Sequence, residues 1–184
     1  GQNARGGWDY ELKVTERDDL SLAGWCIQAL KAARMAGLEG PELERALRTA
    51  TRGVERLQQA DGWFAYSSDT VRESRYDALT GVGVLTLQML ATTNAAAVRR
   101  GVSYLEKHHS FDWERPRTAA PLYNWYYITQ ARFQAGGVQW QRWEERLATG
   151  LVKAQTLLKP GATGLMATAG YWVPSRGMAG KMAL

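Results

Sequence analysis

The sequence predicts an all-α protein built from α/α-hairpin repeats, a single domain over residues 1–184 with about seven helices. Three observations carry that reading. The stretch Gln58-Gln59-Ala60-Asp61-Gly62-Trp63-Phe64-Ala65-Tyr66 has a close copy in Gln2-Asn3-Ala4-Arg5-Gly6-Gly7-Trp8-Asp9-Tyr10, and a weaker copy begins at Gln155. Helix-like segments that are apolar on nearly every side alternate with segments that carry one apolar stripe. Strand signals, sustained alternation or an Asn-Gly turn, are nearly absent. A glutamine closing a helix, a glycine-bearing turn and an aromatic plug suit a staple between successive hairpins.

The elements follow in order. Tyr10 to Arg17 is a charged connector, and Asp18 and Asp19 stand where an N-cap and a first-turn carboxylate belong. Leu20 to Ala36 is apolar nearly all round, with a polar stripe at Ser21, Gln28, Lys31 and Arg34, so it predicts an inner helix that Gly37 ends. Pro41 opens an amphipathic outer helix to Ala60, with Leu43, Leu47, Ala50, Val54 and Leu57 on one stripe. The alternation repeats: Ala78 to Leu90 is inner, Ala95 to His108 outer, Leu122 to Ala135 inner and rich in aromatics, Val138 to Gln155 outer. Arg52 to Leu57 matches Arg100 to Leu105, and Gly150 takes the place of Gly101 in the third outer helix. Thr156 to Arg176 reads as a long loop with two prolines, and Gly177 starts a fourth inner helix.

Composition narrows the classes. A chain of 184 residues that is 45% hydrophobic and 22% charged supports a core and argues against disorder. The net charge of +5 is spread through interleaved Lys, Arg, Glu and Asp, which predicts a solvated basic surface and no nucleic-acid partner. Cys26 is the one cysteine, so no intrachain disulfide or multi-cysteine metal site exists, and its apolar segment predicts a small core residue. No run of eighteen apolar residues occurs, hence no membrane span is expected, and no signal-peptide pattern is visible. The chain opens inside one copy of the turn and stops at Met182-Ala183-Leu184 inside an apolar helical pattern, so it reads as an arc truncated at both ends with its compartment open.

The hairpins and the Gln-x-x-Asp-Gly-aromatic turn together resemble the prenyltransferase and squalene-cyclase repeat family. The likeness runs along essentially the whole chain, most clearly at residues 2–10, 19–25, 52–66 and 122–136, and is closest to uncharacterised bacterial members. It implies an incomplete α/α toroid, with inner helices around a cavity and Gln…Trp turns stapling neighbouring hairpins. Class II cyclases of this kind use an Asp-x-Asp-Asp acid; the nearest string is Glu16-Arg17-Asp18-Asp19, with Trp25 and Tyr76 as aromatic faces for a cation. Helix capping by Asp18 and Asp19 is the favoured reading of the same residues. A prenyltransferase zinc site would need an Asp-x-Cys spacing that Cys26 lacks, and His108 and His109 end an outer helix, so no metal or cofactor is expected. The Cys-Gly-Glu-Gln string of thioester domains is absent. Tyr123-Asn124-Trp125-Tyr126-Tyr127 is similar to the Asn/Tyr sets of barrel-shaped polysaccharide lyases, although no histidine is near it and core packing is favoured.

Asp69, Arg72, Glu73, Arg75 and Asp77 form a charge cluster at the entrance to the second inner helix, where an anionic group would find positive helix ends. Trp8, Trp63 and Trp172 read as staples, and Trp140 and Trp143 as inward residues of an outer helix. The sequence therefore predicts a non-catalytic binding or scaffold module whose concave, aromatic-lined face takes a hydrophobic small molecule or a peptide through Trp25, Tyr76, Asp77, Trp113, Tyr123, Trp125 and Tyr126. The alternatives are a fragment of a cyclase-like enzyme using Glu16, Asp18 and Asp19, and a sugar-active α/α barrel. An open arc would expose apolar surface, so a second copy or a missing segment of the same protein is an expected partner.

Overall fold

The computed structural model describes residues 1–11, 13–70, 79–90, 95–117, 120–158 and 169–173. Tyr76, Asp77, the rest of the charge cluster beyond Asp69, and the helix expected from Gly177 lie outside the described residues. The chain is mostly helical: α1 (Leu20–Met35), α2 (Pro41–Leu57), α3 (Thr80–Met89), α4 (Ala95–His108), α5 (Pro121–Ala135) and α6 (Gly137–Ala154). Pro41 and Pro121 each open a helix, where a missing N–H costs nothing. Gly136 and Gly137, with φ of 67° and 68°, end α5 and turn the chain directly into α6.

Two rows of helices result. In the first, α3 lies between α1 and α5, and α2, α4 and α6 pack on α1, α3 and α5 respectively. From Thr80 to Leu87 every residue of α3 is buried, which accounts for its lack of a polar face. Glycine brings the backbones of this row together. A Cβ on Gly24 of α1 would come within 2.8 Å of Val82, and one on Gly81 within 2.9 Å of the Ile128 nitrogen in α5. Leu20, Ile27, Val54, Phe64, Val84, Leu87, Leu105 and Ile128 fill the space between the rows. Each such side chain contributes about 1.5–3 kcal/mol of burial.

The turn at Gln2 and the turn at Gln58 have one geometry. The Asn3 N–H donates to the Gly7 carbonyl at 3.0 Å, as Gln59 does to Trp63 at 2.8 Å. Gly6 and Gly62 donate back to Asn3 and Gln59 at 2.9 and 3.0 Å. Both glycines have positive φ, 86° and 108°, and a Cβ on either would overlap a helix carbonyl, that of Thr49 or of Arg100. The glutamine amides then complete the turn. Gln2 Nε2 donates to the Gly6 and Ala46 carbonyls at 3.3 and 3.0 Å, and Gln58 Nε2 to those of Gly62 and Ala97 at 3.3 and 2.8 Å. Each amide thus fastens its own turn to α2 or α4.

These contacts correct two sequence expectations. Ala46 pairs with Ala97 and Thr49 with Arg100, so the counterpart of Gly101 is the buried Ala50 and not Gly53. The match of Arg52–Leu57 to Arg100–Leu105 is displaced by three residues, close to one helical turn, a shift that leaves the apolar stripe in phase. Gly150 does correspond to Gly101, because a Cβ on either would overlap a phenylalanine ring or its valine neighbour: Phe111 at Gly150, Val84 and then Phe64 at Gly101. The second correction concerns the long loop after α6. Gln155–Leu158 (β1) and Ala169–Trp172 (β2) form an antiparallel pair with Gln155 opposite Trp172 and Leu158 opposite Ala169. The Gln58–Phe64 bridge is the same closure in miniature, and Gln155 caps α6 with φ −72° and ψ 130°, against −75° and 128° for Gln58 at the end of α2. Gln155 thus closes α6 with the same backbone conformation that Gln58 has at the end of α2.

Gln58→Ala removes both amide donations and the 2.7 Å bond that Arg100 makes to Gln58 Oε1. It is expected to lower unfolding free energy by about 1–2 kcal/mol in a urea titration, whereas Gln155→Ala, whose amide lies against Gly170, shifts it by less than about 0.5 kcal/mol. Equal effects would contradict the stapling role.

Candidate functional site

Two groups of side chains have the makings of a site. The first lies where the N-terminal turn meets α1. Asp19 caps α1: its Oδ1 accepts from the Leu22 N–H at 3.1 Å and from Ser21 Oγ at 2.5 Å. Tyr10 and Ser21 hydroxyls are 3.0 Å apart, extending the chain of hydrogen bonds. The carboxylate is fully buried, and Oδ2 receives no well-formed hydrogen bond, with an Arg17 guanidinium nitrogen 3.7 Å away. Asp18 is also buried, and its Oδ1 accepts from the Ser68 N–H and hydroxyl at 2.8 and 2.7 Å. It ties the first turn to the single-turn 3-10 helix at Ser68–Thr70. Glu16 points away from both, 86% exposed and 3.4 Å from Arg5.

Two tyrosines feel this carboxylate, and a third stands beside one of them. Burial, followed by a hydrogen bond to Asp19, pushes the Tyr66 phenol up to about 12. Tyr123 on α5 is raised further, first by burial, then by the neighbouring Tyr127 phenol, with the Asp19 charge adding to it. Tyr127 is raised chiefly by burial, and its ring centroid is 4.7 Å from that of Tyr123. Asp19 and Tyr123, about a hundred residues apart in the chain, thus share one electrostatic environment across the α1–α3–α5 row. Phenols held neutral are hydrogen-bond donors and not bases near neutral pH, so this cluster is suited to binding a polar group or retaining a proton.

The second group is aromatic. On α5, Leu122, Tyr126 and Phe133 are exposed along one stripe; Leu122 and Tyr126 border a groove of about 420 Å³ whose other wall is Leu147 and Leu151 of α6, while Phe133 packs edge-on against Trp140. Trp125 and Phe111 form its floor, with centroids 4.5 Å apart. Trp113 stacks on Trp125 at 5.9 Å and also lines a neighbouring cleft of about 580 Å³ between the 111–114 segment and α6. Its indole donates to the Val173 carbonyl at 3.3 Å.

The sequence-derived candidates are thereby divided. Trp125 and Tyr126 come together at the groove, with Trp125 buried, Trp113 stacks on Trp125 from the neighbouring cleft, and Tyr123 faces the Asp19 cluster instead. Trp25 is exposed on α1, and Tyr76 and Asp77 are outside the described residues. Trp143 is buried, its indole donating to Thr129 Oγ1 at 2.9 Å, and Trp140 packs edge-on against Phe133. Cys26 is half-buried and not a core residue; burial raises its thiol. No described group of three His, Cys, Asp or Glu side chains is placed to hold a metal, and no described helix is long and apolar enough to cross a membrane. Leu122, Leu147 and Leu151 were not foreseen as site residues, although spacings of four and seven residues put Leu122, Tyr126 and Phe133 on one helix face. Comparison with family models, curated proteins and solved structures returns no match to this chain.

The phenols make a pH prediction. Their folded values lie above the ordinary value of about 10, so the stability they confer is complete below that pH and is lost as pH rises through about 12 for Tyr66. Unfolding midpoints are expected to fall above pH 10, with part of the 295 nm phenolate absorbance appearing only with unfolding; Tyr66→Phe removes part of that late component.

Proposed function

We propose that this chain is a binding or scaffold module of the α/α-toroid kind, an incomplete arc of hairpins that receives a helical peptide segment in the apolar groove beside Trp125. The observation that carries the reading is where apolar surface is exposed. Among the described residues, every large exposed apolar side chain lies at or before Leu38 or at or after Leu122, and none lies in between. That distribution is what an arc of stacked hairpins has at its two open ends, where the next hairpin's contacts are missing. The doubled glutamine staple supports the repeat, and the resemblance to the prenyltransferase and squalene-cyclase family supports the curvature that a toroid requires. At the α5–α6 end Leu122 and Tyr126 border a groove whose apolar lining suits the stripe of an amphipathic helix.

The test is a titration of the intact chain, followed by tryptophan emission, with an amphipathic leucine-rich helical peptide and, in parallel, a C15 isoprenoid alcohol. Saturable binding of the peptide, weakened roughly thirtyfold by Tyr126→Asp, is expected, since an aromatic anchor accounts for about 2 kcal/mol. Saturation by the isoprenoid alone would move the ligand class to small hydrophobic molecules. Absence of saturation by both would remove the groove from consideration.

A second reading, a fragment of a cyclase-like enzyme, is favoured by one observation: Asp19 is a fully buried carboxylate with an incompletely bonded oxygen among proton-retaining phenols. Asparagine caps helices as well as aspartate does, so Asp19→Asn spares the fold and changes the acid. If a polyprene is turned over, Asp19→Asn is expected to reduce the rate by at least about a hundredfold. An unchanged rate would restrict Asp19 to capping.

A further inference from the structure

A cleft of about 320 Å³ lies between the C-terminal end of α4 and the first half of α6, and shares Arg146 with the 580 Å³ cleft beside Trp113. Its cations are Lys107, Arg117, Arg132, Arg142 and Arg146, and its one carboxylate, Glu106, is already engaged by Arg142 at 3.3 Å. Arg132 sits deepest, 4% exposed. Its Nη2 donates to the Leu105 and His109 carbonyls at 2.6 and 3.1 Å, which satisfies the end of α4, and its guanidinium carbon lies 4.7 Å from the centre of the Trp143 ring. These contacts leave the guanidinium with no carboxylate in direct contact; the charge of Glu106 acts on it, but that carboxylate is engaged by Arg142. No described carboxylate is ion-paired with Arg132, and its buried Nε has no hydrogen-bond partner. Burial lowers the guanidinium to about 10, with the Glu106 charge opposing the shift and that of Arg146 adding to it. A buried charge kept in this condition, under a wall of further cations, is ordinarily balanced by a bound counter-ion.

We propose that this cleft is a binding site for a compact dianion, a phosphoryl group carried by a small molecule. The cationic excess favours two negative charges over one, and the planar guanidinium groups of Arg142 and Arg146 match the paired oxygens of a phosphoryl group. Arg117 closes the rim, held by a bond to the His108 carbonyl. Arg132 supplies the field from below and the helix cap, while the exposed arginines supply the direct contacts.

Inorganic phosphate titrated into the intact chain at constant ionic strength, followed by calorimetry and by tryptophan emission, is the experiment, with acetate as the monoanion. Saturable phosphate binding is expected, with acetate at least tenfold weaker. Arg142→Ala with Arg146→Ala should weaken phosphate at least tenfold while leaving the circular dichroism spectrum and melting midpoint unchanged. Arg48→Ala with Arg52→Ala removes the same charge from α2 and should leave binding within twofold. Phosphate that does not saturate, that binds no better than acetate, or that is weakened equally by the two double variants would overturn the proposal. Arg132→Met is expected to lose both binding and stability, and so is read only beside the surface pair.

Discussion

The contact on which the rest of this structure depends is a primary amide that reaches across two backbones. Gln58 Nε2 joins the carbonyl of Gly62 in its own turn to that of Ala97 in α4, so one donor group sets the position of a helix about forty residues further on. The amide can do this only because Gly62 has no side chain between the turn and the Arg100 carbonyl. Gln2 and Gly6 place the first turn against α2 by the same means. Directional hydrogen bonds fix the spacing, and the apolar burial between the rows provides most of the energy.

From that spacing follows the burial of α3. With α1 and α5 on either side and α4 behind it, no face of the helix is left for water, and its backbone approaches its neighbours at Gly81 and Gly83. The ends of the row have no such cover. Trp25, Met35 and Leu38 are exposed at one end and Leu122, Tyr126 and Phe133 at the other. The groove beside Trp125 is thus a product of position: the residues that line it are of the same kind as those buried between the inner hairpins, and they meet solvent because the row stops being covered there.

Capping and charge are combined at Asp18 and Asp19. Asp18 joins the N-terminal turn to Ser68, and Asp19 starts α1 and polarises the phenols of Tyr66 and Tyr123. At the other end of the molecule Arg132 closes α4 in the same economical way, using one nitrogen for two carbonyls. Each residue satisfies a helix end and leaves a buried charge incompletely balanced. Such charges are costly to keep in an apolar interior, which is why they draw attention as sites and not only as caps.

By itself the sequence determined the helices and their order, because 3.6-residue periodicity, proline at helix starts and glycine at helix ends act within a few residues of where they stand. Ala95–His108 is bounded as its pattern implies, and Asp19 caps α1 as its place before an apolar run implies. The tertiary structure decided what depends on contacts between distant residues. It chose Ala97 as the acceptor of the Gln58 staple and so matched Ala50 and not Gly53 to Gly101, since a shift of three residues keeps the apolar stripe and leaves the pattern unable to distinguish the two. It buried Trp125 and exposed Tyr126, neighbours of equal aromatic character, because one faces Phe111 and the other faces the open groove. It also paired Gln155–Leu158 with Ala169–Trp172, where no alternating pattern announces a strand, because the strand bonds replace a turn and need no apolar face.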